Sequence, residues 1–191
     1  MKKNKIKFIL QNNPLIPVVK FNSMDEIDIL MSYLAKHKIN IIEVTLRTDV
    51  SFKAISYIKK KYDKFVIGAG SVIDKNQILK LMNINIDFIV MPGFDLKLIE
   101  ILKINSIPFL PGVMTPSEIL YAIQNECYYL KFFPANISGG YKILKDYGDI
   151  FSKVIFCPTG GINEENYKKF LQLKNVISVG GSWLQKKINS H

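Results

Sequence analysis

Lys131 stands where lysine is costly. In YYLKFFPA, residues 128–135, its neighbours are Tyr129, Leu130, Phe132 and Phe133, and lysine is among the residues least often buried without a partner. Most of the chain's other lysines keep polar company, as in MKKNKIK or KKKYDK. If the segment is a strand, alternation puts Lys131, Tyr129 and Phe133 on one face and Leu130 and Phe132 on the other. Desolvation disfavours an ammonium in apolar surroundings, and the neutral amine is a nucleophile able to form a Schiff base with a carbonyl. The competing reading is a structural ammonium held in an ion pair. IIEVTLR, residues 41–47, supplies a carboxylate for either role. Its alternation separates Ile42, Val44 and Leu46 from Glu43, Thr45 and Arg47, and unpaired buried charge is too costly to be incidental. Arg47 is the one arginine among 26 basic residues. Its planar fork binds an anionic group in a way that lysine cannot.

Two further segments carry glycine pairs, CPTGGI (157–162) and VGGSW (179–183), and GAGS (68–71) and MPGF (91–94) add Ser71 and Pro92. Glycine lets backbone N–H groups approach an anion closely. These segments fall into a regular series. Eight apolar runs begin at residues 16, 41, 65, 87, 107, 128, 153 and 176, spaced 20 to 25 residues apart. Amphipathic stretches such as MDEIDILMSYLAKH and VSFKAISYIKKKY lie between them, with apolar residues three and four apart. Asn22-Ser23, Asp49 and Thr115-Pro116 read as helix starts.

Strands alternating with helices imply a parallel sheet, and eight is the number that closes a (β/α)8 TIM barrel. An open doubly wound sheet would carry a glycine fingerprint after its first strand, and IPVVKFNS has none. In a barrel the chemistry gathers at the C-terminal ends of the strands, with phosphate at the loops after strands seven and eight. The glycine pairs fall at those two loops. The expected fold is a single domain over residues 1–191, with a short N-terminal helix and a truncated or absent final helix, since about ten residues follow the eighth run.

Composition narrows the function class. At 48% hydrophobic and 22% charged residues, the chain reads as a soluble globular protein. No apolar run approaches the roughly 18–20 residues that span a bilayer, and the N-terminus lacks a signal-peptide cleavage pattern, so a cytoplasmic location without membrane partners is expected. Two cysteines and two histidines are too few for a disulfide framework or a histidine-rich metal site. The net charge of +10 is spread along the chain without an arginine-rich block. It reads as a solvated lysine surface able to draw in a small anion rather than a nucleic-acid interface.

EVTLRT, GAGS, MPGF, LPGVMTPSE, LKFFPA, CPTGGI and VGGSW occur in the order and approximate spacing of the 2-keto-3-deoxy-6-phosphogluconate (KDPG) aldolase family, and the chain resembles that family from about Ile16 to Leu184. The resemblance implies a trimeric (β/α)8 barrel needing no metal or cofactor. It would act as a Schiff-base aldolase on a phosphorylated 2-keto acid, with 4-hydroxy-2-oxoglutarate as a second substrate. It implies Lys131 as the Schiff-base lysine and Glu43 as the general acid/base. Arg47 and Ser71 would contact the pyruvate-derived carboxylate, Thr159 and Phe133 would line the substrate site, and Pro92 would shape its stereochemical preference. Gly160, Gly161, Gly180, Gly181 and Ser182 would hold the phosphate. The chain departs from the family pattern with serine for threonine in GAGS and with Asn136, where glutamate is common. Two other readings are a thiamine-phosphate-synthase-type barrel, which would use pyrophosphate and magnesium, and a non-catalytic barrel.

Overall fold

Apolar runs too short and too closely spaced for anything but strands set the architecture. In the computed structural model, which describes residues 5–137 and 139–188, the order is α1 (Lys5–Asn12), β1 (Leu15–Val19), α2 (Glu26–Lys36), β2 (Ile41–Thr45), α3 (Ser51–Lys61) and β3 (Val66–Gly70). Next come α4 (Lys75–Asn83), β4 (Phe88–Val90), α5 (Leu96–Ile104), β5 (Phe109–Leu110), β6 (Gly112–Val113) and α6 (Pro116–Gln124). The series ends with β7 (Tyr129–Phe132), α7 (Gly140–Ile150), β8 (Ile155–Pro158), α8 (Tyr167–Leu171), β9 (Val179–Gly181) and α9 (Trp183–Ile188).

Every ladder is parallel. One sheet runs β5-β4-β3-β2-β1-β9 and the other β6-β7-β8. They adjoin at Pro111, and parallel bridges Phe156–Val176 and Thr159–Gly180 link β8 to the β9 side. The result is a curled, barrel-like α/β sheet. The fifth run, expected as one strand, is two segments because Pro111 cannot donate to a ladder. The first segment pairs with β4 and the second with β7.

Alternation sorts the buried side chains into two layers. Ile42, Val44, Leu130, Phe132 and Phe156 pack outward with helix residues such as Ile55, Ile99 and Ile119. Ile16, Ile41, Phe88, Val90, Leu110 and Cys157 form a separate interior cluster, and Ile6 and Leu10 of α1 join it. The leading helix thus lies across the end where the strands begin. Burying one such aliphatic side chain contributes about 1.5–3 kcal/mol.

Thr115 caps α6 through a capping box with Glu118, as its sequence suggests, and Asp74 with Gln77 does the same for α4. Asn22-Ser23 and Asp49 do not cap their helices: Asp25 and Val50 precede α2 and α3 without a side-chain cap bond. The Glu26 carboxylate accepts from the Asn22 N–H, and the Ser51 hydroxyl accepts from the Thr48 N–H, so other groups organise those turns.

Four helices end alike. After α2, α4, α5 and α6, the residues Lys38, Asn85, Ser106 and Glu126 take φ of 58°, 57°, 53° and 57°. Each turn carries the paired bonds of a Schellman motif, as in Ile39 N–H to Leu34 O at 2.9 Å with Lys38 N–H to Ala35 O at 3.0 Å. The final helix is short through residue 188, and the expectation for residues 189–191 lies outside the described residues. Among the described residues no helix is long and apolar enough to cross a membrane.

Candidate active site

Lys131 is the third of four residues in β7, and Glu43 the third of five in β2. These strands come from different sheets, yet both side chains point into the barrel-like interior. Lys131 Nζ stands 3.5 Å from Glu43 Oε1, and the two side chains are 7% and 4% exposed. The lysine also lies over the Phe133 ring, 5.0 Å from its centre. Tyr129 packs against the interior cluster beneath it. The face assignment read from YYLKFFPA therefore matches the packing, with Leu130 and Phe132 in the outer layer.

Cys157 is the cross-strand partner of Lys131. Its thiol is pushed up to about 12, first by burial and then by the charge of Glu43, with Lys131 opposing. At neutral pH it is a protonated, apolar filler beside the pair. The Glu43 carboxylate lies over Gly70, where a Cβ would collide with it. Gly70 is therefore a site residue that the motif GAGS hid behind its serine. The only sequence signal for it is that a small residue must face a long inward one on the next strand.

The rim beyond the pair is built from adjoining strand ends. Leu46 N–H donates to Gly70 O at 2.8 Å, and Val72 N–H to Val90 O at 3.3 Å, bringing the loops of Arg47, Ser71 and Pro92 side by side. Arg47 is exposed, and its Nε donates to the Thr45 hydroxyl at 3.1 Å. Ser71 is half-buried with φ of 59°. Pro92 is linked to the site through its backbone, which packs against Gly112, the ladder partner of Lys131.

The two glycine pairs meet through the Thr159–Gly180 bridge. Gly160 and Gly161 have φ of 92° and 75°, a conformation other residues resist. Phe133 packs over Gly160, and Asn136 over Gly161. Gly180 makes room for the Thr159 side chain and Gly181 for the Trp183 ring. Thr159 is buried, its hydroxyl 3.4 Å from Cys157 O, and Ser182 is exposed between β9 and α9. Among the described residues no group of three or more His, Cys, Asp or Glu stands together to hold a metal.

A family model described as KDPG and KHG aldolase matches residues 6–190. The KHG/KDPG aldolase of Escherichia coli is 35% identical over 182 residues, covering 95% of this chain and 85% of that protein. The 2-dehydro-3-deoxy-phosphogluconate aldolase of Dickeya dadantii is 35% identical over 176 residues, covering 92% and 83%. A crystal structure of the KDPG aldolase from Legionella pneumophila, with pyruvate captured as a covalent carbinolamine, superposes with a TM-score of 0.92 at 35% identity, covering 97% of this chain and 91% of that one. Sequence, fold and a buried lysine–carboxylate pair at the strand ends point the same way, and the chain belongs to the KDPG and KHG aldolase family.

Proposed function

We propose that the protein is a class I aldolase that cleaves KDPG reversibly to pyruvate and glyceraldehyde 3-phosphate, and that its 1–191 chain is one (β/α)8 barrel domain. The observation that carries this reading is the buried Lys131–Glu43 pair at 3.5 Å. Glu43 takes a proton from Lys131, and the amine attacks the C2 ketone to give a carbinolamine. Glu43 then assists loss of water, leaving a protonated imine. Glu43, a carboxylate again after that step, takes the C4 hydroxyl proton, which it later returns to C3. The C3–C4 bond breaks, the aldehyde departs, and the bonding electrons pass into the imine as an enamine. Protonation at C3 and hydrolysis release pyruvate and restore the lysine. Positioned acid/base help of this kind is worth about 10²- to 10⁴-fold.

Arg47 and Ser71 bind the substrate carboxylate, Thr159, Phe133 and Pro92 bound the carbon chain, and Gly160, Gly161, Gly180, Gly181 and Ser182 receive the phosphate. The positive φ values at Gly160 and Gly161 support a backbone shaped for an anion. 4-Hydroxy-2-oxoglutarate shares the 2-keto-4-hydroxy acid core and is the second substrate, in keeping with a family model that names both activities. The enzyme works as a homotrimer without metal or cofactor. Its two free, buried cysteines suit the reducing cytoplasm.

Borohydride reduction in the presence of pyruvate, followed by peptide mass mapping, tests the assignment. The expected result is a reduced pyruvate adduct on Lys131 that is lost in Lys131→Ala. Wild-type protein that gains no mass at Lys131 overturns it.

A further inference from the structure

Arg47 reaches solvent on a long side chain, which would ordinarily sample many rotamers. Its Nε is nevertheless engaged by the Thr45 hydroxyl at 3.1 Å. Thr45 is 2% exposed, and the same hydroxyl donates its single proton to Val19 O at 2.9 Å. Toward Arg47 that oxygen is therefore a fixed acceptor. The backbone beneath is equally constrained. Arg47 N–H donates to Thr45 O at 2.9 Å, and the Ser51 hydroxyl donates to the same carbonyl at 3.0 Å. The Thr48 hydroxyl donates to Phe21 O at 2.7 Å. The loop after β2 is thus tied to the end of β1 at Val19 and Phe21.

A guanidinium offers five N–H donors in one plane, one on Nε and two on each Nη. A carboxylate can meet two of them in parallel either along the Nε–Nη side or across the Nη–Nη end. Engaging Nε with Thr45 removes the first option. We infer that Thr45 is a positioning residue that presents the Nη pair of Arg47 end-on to the carboxylate of a 2-keto acid, and so sets the selectivity for carboxylate-bearing ketones. This inference rests on the carboxylate role proposed for Arg47 above. A purely structural Thr45 would need only its bond to Val19 O, and its loss would weaken the fold without altering which ketone is chosen.

The test measures half-saturation of borohydride trapping at Lys131 with pyruvate and with hydroxyacetone, a methyl ketone lacking the carboxylate. Thr45→Val keeps the shape and deletes the hydroxyl. Its half-saturation for pyruvate should rise about tenfold, the scale of one charge-assisted hydrogen bond, while that for hydroxyacetone changes less than about twofold. Thr45→Ser, which keeps the hydroxyl, should restore the pyruvate preference. Thr45→Ala is the second hydroxyl-free variant and should give the same split. In an Arg47→Lys background, Thr45→Val should add no further loss, because lysine has no Nε to steer. Equal losses for both ketones, or a further loss in the Arg47→Lys background, would overturn the positioning role while leaving the aldolase reading intact. Absence of any wild-type adduct with pyruvate would overturn both.

Discussion

A methyl group at position 70 would press on the Glu43 carboxylate, and what yields decides the outcome. The obstructing atoms are Oε1, Cδ and Cγ of Glu43, the outer part of a flexible side chain rather than backbone. Gly70→Ala should therefore fold, while swinging the carboxylate away from Lys131. Its kcat should fall about 10²-fold or more, approaching the effect of Glu43→Gln. Steady-state kinetics beside a thermal melt would show activity lost with the fold kept. Cys157 gives a second prediction. The thiol is held near 12 by burial, against an ordinary value near 9, so the folded state keeps a proton that the unfolded chain has released. Stability from this group is full below pH 9 and declines as pH rises toward 12. Between pH 9 and 10.5 the loss should be about 1–2 kcal/mol, read as the difference in urea-unfolding slope with pH between wild type and Cys157→Ala. The Lys131–Glu43 pair was legible in the sequence, because strand alternation and the cost of buried charge act on single segments. Gly70 was not, because its role is a contact across strands that no one segment encodes. Alternation put Thr45 on the face of Glu43 and Arg47, but its bond to Val19 O on the neighbouring strand was equally hidden.

Among the elements, the strand runs were legible apart from the break at Pro111, since parallel strands covered on both faces read as near-continuous apolar stretches. The helix ends were less so. Glycine is the usual mark of a left-handed helix terminus, yet Lys38, Asn85, Ser106 and Glu126 occupy these positions here. Each is followed by Ile39, Ile86, Ile107 or Cys127, which closes the turn by a bond back to the helix. The stop is imposed by that closing bond and an apolar residue returning to the core, not by glycine. Left-handed backbone costs an ordinary side chain roughly 1–2 kcal/mol, offset in part by glycine's greater freedom in the unfolded chain. Lys38→Gly, Ser106→Gly and Glu126→Gly should each stabilise by about 0.5–1 kcal/mol. For a chain of this size that is a rise in Tm of about 1–4 °C apiece, measurable by calorimetry, with kcat unchanged because all three lie at the opposite ends of the strands from the chemistry.

For the whole molecule, the charge matters more through its sum than through its pairs. The surface ion pairs, such as Lys174–Asp149 and Lys187–Glu164, are well exposed, and such pairs contribute little. A net charge of +10 attracts a substrate carrying both carboxylate and phosphate over a distance that salt shortens, from about 30 Å at 0.01 M to about 3 Å at 1 M ionic strength. The value of kcat/KM for KDPG should therefore fall severalfold as ionic strength rises across that range. For 4-hydroxy-2-oxoglutarate the fall should be smaller, in proportion to its smaller charge.

Ile6 and Leu10 also fill the end of the interior where the strands begin. On the function proposed above, substrate and products therefore pass by the rim at the other end. In the mechanism proposed above, pyruvate stays bonded to Lys131 when the aldehyde is set free. Departure is then compulsory in sequence, aldehyde first and pyruvate last, and synthesis in reverse must begin with pyruvate. Product-inhibition kinetics should show pyruvate competitive with KDPG and glyceraldehyde 3-phosphate noncompetitive, and the opposite pattern would mean a second way out.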